Sequence, residues 1–360
     1  MSETYREIVE ILDPLVVSAS KIDGLIRLRH GGRVDFWTLN NPRAGRSRKY
    51  HSVLIDEAAF AGPDMMDIWQ QAIRPSLLDY QGSAWVFSTP SGKDDDNFFY
   101  RICTDPSHGF VDIHAPTSGN PYLPAQEIAR LEADNTPLVY SQEYLAEFVD
   151  WSGVSFFAET SLLDNGVPVD YPGRTDQVYA VVDTALKDGL EHDGTAVTYF
   201  CRNKIAGHPL IILDWEVLQI TGDLLDAWLP TVIKRCEELA QQCGSRGGVA
   251  GVWVEDKSSG TVLIQQAQRK QMPVYGIDGV LTAMGKDGRA LSVSSYVHQG
   301  MVKISGYAHN KITAYRGISK NHFLGQVCGY RVGAKTPHSM DLLDTFCYGV
   351  AIGLGDSFGY

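Results

Sequence analysis

Cysteine is sparse and unpatterned in this chain of 360 residues. Six cysteines stand at 103, 201, 236, 243, 328 and 347, and none has C-x-x-C spacing. That argues against a disulfide framework or a zinc site and points to a reducing setting. Long apolar runs are missing too. None reaches the ~20 residues a membrane helix needs. The N-terminus, "MSETYREIVE", is charged and lacks the apolar core of a secretory signal. No membrane partner is expected. A third absence is the phosphate-binding loop. The pattern G-x-x-x-x-G-K-S/T occurs nowhere; "PSGKDDD" and "MGKDGRA" lack its first glycine and its hydroxyl.

The charge that is present is unevenly spread. The formal net charge is −12. Residues 51–150 carry 4 basic and 16 acidic side chains, whereas residues 251–340 carry 11 basic and 4 acidic. The first fifty residues carry 9 basic and 6 acidic. The C-terminal basic stretch suits phosphate contact, the alternative being a solvated Lys-rich surface.

Patterning divides the chain in two. "GLIRLRHGGRVDFWTLN" (24–40) alternates around Gly-Gly and predicts a β-hairpin. "SVLIDEAAF" and "GSAWVFSTPSG" (82–92) read as buried strands, and 124–148 as two short helices split near Pro137. Residues 151–175 lose periodicity, collect Gly and Pro, and read as a linker. Beyond it "VYAVVDTA", "AVTYFC" and "LIILDWEVL" are strands, "DLLDAWLPTVIKRCEELAQQC" an amphipathic helix, and "GVAGVWVED" a fourth strand. "TVLIQQAQRK" and "SMDLLDTFCYGVAIGLG" are helices, and "GKDGRALSVSSYVHQGMVKIS" predicts a helix followed by a hairpin. Both halves are α/β. Three strands before a helix predict an antiparallel meander joined to a parallel strand, the order of ribonuclease H-like folds.

Acids end these strands. Asp183 ends "VYAVVD", Glu255 and Asp256 end "GVWVED", Asp341 and Asp344 open the last helix, and Asp193 precedes the second strand. Carboxylates gathered in this way repel one another unless cations neutralise them. Mg²⁺ or Mn²⁺ suits all-oxygen ligands, and a pair of such ions can drive phosphodiester hydrolysis. Asp341 and Asp344, three apart, share a helix face, which leaves both open as ligands. Adjacent strand residues face oppositely, so Glu255 and Asp256 cannot both face the metals unless the strand has ended. Lys257, Lys286 and Arg289 are candidate DNA-backbone contacts, and His338 lies three residues before Asp341.

In the first half, Asp56 and Glu57 end an apolar strand, with "FSTPSG" following at 87–92. In this reading Asp56 holds water on Mg²⁺, Glu57 polarises the attacking water, and Ser88, Thr89 and Pro90 form a strand end that senses a γ-phosphate. An acid pair at a helix N-terminus, favoured by the helix dipole, is the simpler reading.

Together "VLIDEAAF", "FSTPSG", "QEYLAEF", "VVDTA", "VEDKSSG", "KDGRA" and "DLLDTFCYG" resemble, in order and spacing, the large terminase subunit of tailed bacteriophages, a DNA-packaging motor and nuclease. The resemblance covers about residues 20–355. It implies the C-terminal portion of an ATPase domain of P-loop (ASCE) type at 1–150, a linker at 151–175, and a ribonuclease H-like nuclease at 176–360. It implies Asp183, Glu255 and Asp341 as ligands of two Mg²⁺ or Mn²⁺ ions, with Asp193, Asp256 and Asp344 as neighbours. Asp56, Glu57 and Ser88–Thr89–Pro90 become the ATPase acidic pair and coupling motif. The implied partners are double-stranded DNA, a portal protein, a small terminase subunit and further copies of the chain, in the cytoplasm of a bacterial host. The sequence departs from the family where the adenine-binding segment and phosphate loop belong, upstream of the acidic strand. The expectation is therefore a truncated gene, a split gene or a misassigned start, with ATP bound only if the absent part is supplied. The rivals are a nuclease of transposase or resolvase type and an inactive prophage remnant.

Overall fold

The computed structural model describes residues 2–39, 41, 45–184, 194–204, 207–220, 224–256, 259–332 and 340–355. The chain forms two compact units, Met1–Asn120 with Ser141–Asp150, and Pro121–Tyr140 with Trp151–Tyr360.

The first unit holds two small sheets. Strands β1 (Val16–Ser20), β2 (Leu25–Leu28) and β3 (Arg33–Asp35) pair antiparallel, and the hairpin expected at 24–40 is β2–β3. Strands β4 (Ser52–Ile55) and β5 (Ser83–Val86) pair parallel, joined by a helical crossover that includes Met65–Ile68 and Arg74–Leu77. Alternation sends Ile55 inward onto Met65, Ile68, Trp69, Ile73 and Phe98. The opposite face stays open: Leu54, Trp85 and Phe87 are 71%, 51% and 48% exposed. The two helices expected across 124–148 are Ala125–Asp134, which groups with the second unit, and Pro137–Glu143, which runs from the second unit's segment into the first unit's.

The second unit is built on a mixed six-stranded sheet. Its strands are β6 (Gln177–Asp183), β7 (Thr195–Arg202), β8 (Leu210–Leu218), β9 (Val249–Val254), β10 (Val274–Gly276) and β11 (Val302–Ile304), in the order β10-β9-β6-β7-β8-β11. β6, β7 and β8 form the expected antiparallel meander, and β9 pairs parallel to β6. β10 adds parallel to β9, and β11 parallel to β8. The hairpin expected directly after the helix Lys286–His298 is not formed. "VKI" is buried on every residue and joins the sheet as β11 instead. The stretch 151–175, which reads as a linker, packs into this unit, with Phe157 and Leu162 buried in its core. Irregular backbone there is anchored by side-chain burial that no local period reveals.

The faces of β6 sort by parity. Val178, Ala180 and Val182 face the helices Leu225–Gln242 and Ser259–Arg269. Tyr179 and Val181 face the helix Asp341–Leu354, whose residues 341–352 are all buried. Asp183 continues this second parity, so its carboxyl belongs on the 341–354 side. That helix lies very close to the sheet. A Cβ on Gly349 would fall 2.1 Å from Phe200 Cε2, and one on Gly353 would fall 2.4 Å from Tyr179 Oη. Two further bonds fix its register: Tyr179 O–H donates to the Gly349 carbonyl (2.7 Å), and the hydroxyls of Thr198 and Thr345 meet at 2.8 Å.

Candidate active site

Three elements bring acids to one end of the large sheet. β6 stops at Asp183, and the Glu255 N–H donates to the Val182 carbonyl (3.2 Å) just past the end of β9. The helix Asp341–Leu354 starts with Asp341, whose Oδ2 accepts the Gly194 N–H at 2.9 Å. Asp344 follows one turn later. Burial, together with Asp344, Asp341 and Glu255, pushes the Asp183 carboxyl well above the usual carboxylate range, and a hydrogen bond with Glu255 adds to this. Four carboxyls therefore share one electrostatic neighbourhood.

Cations meet part of that charge. Arg289 Nη2 lies 2.7 Å from Asp344 Oδ1, and Lys286 Nζ lies 3.3 Å from Asp344 Oδ2. Burial raises the Asp344 carboxyl as well, against the pull of Lys286 and Arg289. Tyr348 O–H donates to Glu255 Oε1 at 3.1 Å. Tyr348 is not evident as a site residue from sequence motifs. The available signal is its spacing four residues after Asp344 on a helix that opens with two acids.

The remaining sequence candidates fall elsewhere. Asp256 is exposed, and its Oδ1 accepts the Thr261 hydroxyl (2.6 Å), so Glu255 faces the acid cluster and Asp256 does not. Asp193, Lys257 and His338 lie outside the described residues. The basic stretch is partly used inside the fold. Arg289 is buried, Lys303 Nζ donates to the Leu163 carbonyl (2.8 Å), and Lys311 Nζ pairs with Asp214 Oδ1 (2.7 Å).

In the first unit, parallel pairing sets the two motifs side by side. Phe87 N–H donates to the Ile55 carbonyl (2.8 Å), and Ala59 N–H donates to Ser88 Oγ (3.0 Å). Asp56 and Glu57 are exposed, with Glu57 in the left-handed region (φ 53°). They line a cleft of about 620 Å³ together with Ser88, Thr89 and Pro90. The other acidic residues of that cleft are Asp112, Glu143 and Glu147, and among the described residues no Lys or Arg lines it.

A divalent ion fits the second-unit cluster by donor type and by charge. Its donors are carboxylate oxygens, and the raised Asp183 marks negative charge in need of a counter-ion. Among the described residues, no three His, Cys, Asp or Glu side chains are gathered closely enough to hold a metal ion as they stand.

No family model matches this sequence, and no curated protein matches it. Solved structures do. Its α/β architecture is that of a viral large terminase fold. The large terminase of a thermophilic bacteriophage, solved with ADP, overlays 98% of this chain and 82% of its own at a TM-score of 0.66 and 15% identity. Another crystal form of that terminase overlays 96% and 80% at a TM-score of 0.65 and 14% identity. The large terminase of bacteriophage HK97 aligns with 96% of the chain at 12% identity, but its TM-score of 0.31 is too low to support inference. The chain thus has the fold of a phage large terminase across nearly its whole length.

Proposed function

We propose that this chain is the nuclease-bearing large terminase of a tailed phage, a metal-dependent endonuclease that cuts double-stranded DNA during genome packaging. The observation carrying the proposal is Asp183 at the end of β6, the first strand of the meander and an inner strand of the sheet, pushed toward neutrality by burial and by Asp344, Asp341 and Glu255. Numbered from the meander, the strand order is 3-2-1-4-5 with one strand added outside, which supports a ribonuclease H-like nuclease. A lone strand-end acid serves many folds, but four carboxyls held together against their own repulsion call for cations.

In this reading Asp183, Glu255 and Asp341 would hold two Mg²⁺ or Mn²⁺ ions. Such ions, when bound, activate a water and stabilise the leaving oxygen of a phosphodiester. The chain's own residues supply the rest. The Gly194 N–H fixes one oxygen of Asp341, and Tyr348 fixes one oxygen of Glu255. The close seating of the 341–354 helix, set by Gly349 and Gly353, holds Asp341 and Tyr348 against the strand ends. DNA, portal protein, small terminase subunit and further copies of the chain are the proposed partners, in the bacterial cytoplasm. A motor role for the first unit is supported by Asp56 and Glu57 beside Ser88, and the thermophilic phage terminase is known in complexes with ADP and with ATP-γ-S. The test is nicking of supercoiled plasmid by the purified chain. Cleavage is expected with Mn²⁺ or Mg²⁺ and not with EDTA. No cleavage by folded protein under any divalent ion would overturn the proposal.

A further inference from the structure

Arg289 sits where a nuclease for polyanionic DNA would be expected to show a surface cation, yet it is only 7% exposed. Its guanidinium is engaged on several sides. Nη2 pairs with Asp344 Oδ1 at 2.7 Å. Nη1 donates to Tyr348 Oη and lies 3.9 Å from Glu255 Oε1. The guanidinium carbon stands 4.8 Å from the centroid of the Tyr348 ring. Nε is buried without a hydrogen-bond partner. Tyr348 passes the connection on, donating to Glu255 at 3.1 Å. On the far side Lys286 takes the other oxygen of Asp344 at 3.3 Å.

We infer that Asp344, Arg289 and Tyr348 form a brace that positions Glu255, with Asp344 acting as the counter-ion of Arg289 rather than as a metal ligand. This rests on the nuclease reading above. Both oxygens of Asp344 are already met by cations. The guanidinium stands 3.9 Å from Glu255 Oε1 but 2.7 Å from Asp344 Oδ1. The closer pairing with Asp344 therefore draws the fork away from Glu255. A planar fork that serves an acid, a hydroxyl and a ring face at once is a task for arginine, and lysine cannot reproduce it. Partners of this kind orient ligands and tune their affinity without touching the metal.

The brace makes an unusual prediction about pairs of substitutions. In Asp344→Asn the guanidinium loses its counter-ion and turns to Glu255, so Mn²⁺ binding should weaken by about tenfold. In the double variant Asp344→Asn/Arg289→Met no guanidinium competes for Glu255 and the Tyr348 hydroxyl still holds it, so affinity should return to within about threefold of wild type. Tyr348→Phe keeps the ring under Arg289 and deletes only the hydroxyl, and should also weaken Mn²⁺ by about tenfold. The experiment is calorimetric titration of MnCl₂ into the full chain, with circular dichroism to confirm folding. A double variant as weak as Asp344→Asn would make Asp344 a ligand and overturn the brace. So would wild-type affinity in folded Tyr348→Phe, which remains informative if the charge variants do not fold. A folded wild type that binds no Mn²⁺ would overturn the nuclease reading and the brace with it, whereas wild-type binding without rescue overturns the brace alone.

Discussion

Each unit ends an apolar strand in acids, and the two sites differ in what surrounds those acids. In the first unit Asp56 and Glu57 are exposed, in a cleft that, among the described residues, no Lys or Arg lines. In the second unit Asp183 has three carboxyl neighbours, and Asp344 is countered by Arg289 and Lys286. The first arrangement has charge without a cradle. The second has desolvated carboxyls and a built-in partial counter-charge, the environment that makes a metal ion favourable. The motif "apolar strand, then acid" is thus common to both, and the chemistry follows from burial and neighbours.

The largest expected effect separates the two sites directly. Glu255→Gln or Asp341→Asn should lower DNA cleavage at least about a thousandfold, ~4 kcal/mol of barrier. Glu57→Gln should leave cleavage unchanged. Plasmid nicking rates of the three variants decide this, and equal losses would erase the distinction.

A smaller effect appears in the pH dependence of the metal-free protein. The Asp183 carboxyl lies above the usual range when folded, through burial and its acidic neighbours. Below the unfolded carboxylate range both states are protonated and no penalty exists. As pH rises above that range the unfolded chain ionises first, so the folded state holds more protons and loses stability until pH passes the folded value. Melting temperature without metal should fall between pH 5 and pH 8, and Mg²⁺ should restore more of it at pH 8. A melting temperature that rises over this range would contradict the assignment.

Smaller again is the expected ATPase signal. A triphosphate carries several negative charges, and among the described residues the Asp and Glu side chains of the cleft beside Asp56 have no Lys or Arg beside them. Positioning water and Mg²⁺ does not hold a phosphate chain in line for attack. The chain alone should hydrolyse ATP no faster than its Glu57→Gln variant in a phosphate-release assay. Hydrolysis lost on that substitution would reveal a phosphate site in the first unit.

The smallest effect concerns the open face of β4 and β5. Trp85→Ser should change unfolding free energy by no more than about 0.5 kcal/mol, because the side chain is half exposed. It should reduce self-association in sedimentation, since Leu54, Trp85 and Phe87 form an exposed apolar strip.

Much of the second unit was legible because its strands are long apolar runs and acids interrupt them at their ends. The acids at 183 and 255 are visible in that pattern, but alternation does not decide between Glu255 and Asp256, because β9 ends at Val254. Other features had no local signature. "VKI" is too short to announce a sheet strand, and only its pairing with Leu210–Ile212 makes it one. Residues 151–175 look like a linker because Phe157 and Leu162 are buried by distant residues, without a period of their own. Residues 121–140 group with the second unit, although their helices follow the first unit in sequence. Arg289 reads as a DNA contact in a basic stretch, and only the fold reveals that its charge is turned inward onto Asp344.

Asp183 offers the most direct test of the central claim, because one substitution should move activity and stability in opposite directions. In Asp183→Asn the carboxylate that opposes burial and three acidic neighbours is gone, while the shape of the side chain is kept. The measurement is metal-dependent plasmid cleavage paired with the metal-free melting temperature at pH 8, on the same preparations. The account predicts cleavage lost and melting temperature raised above wild type. Cleavage retained by the folded variant, or a lowered melting temperature, would contradict it.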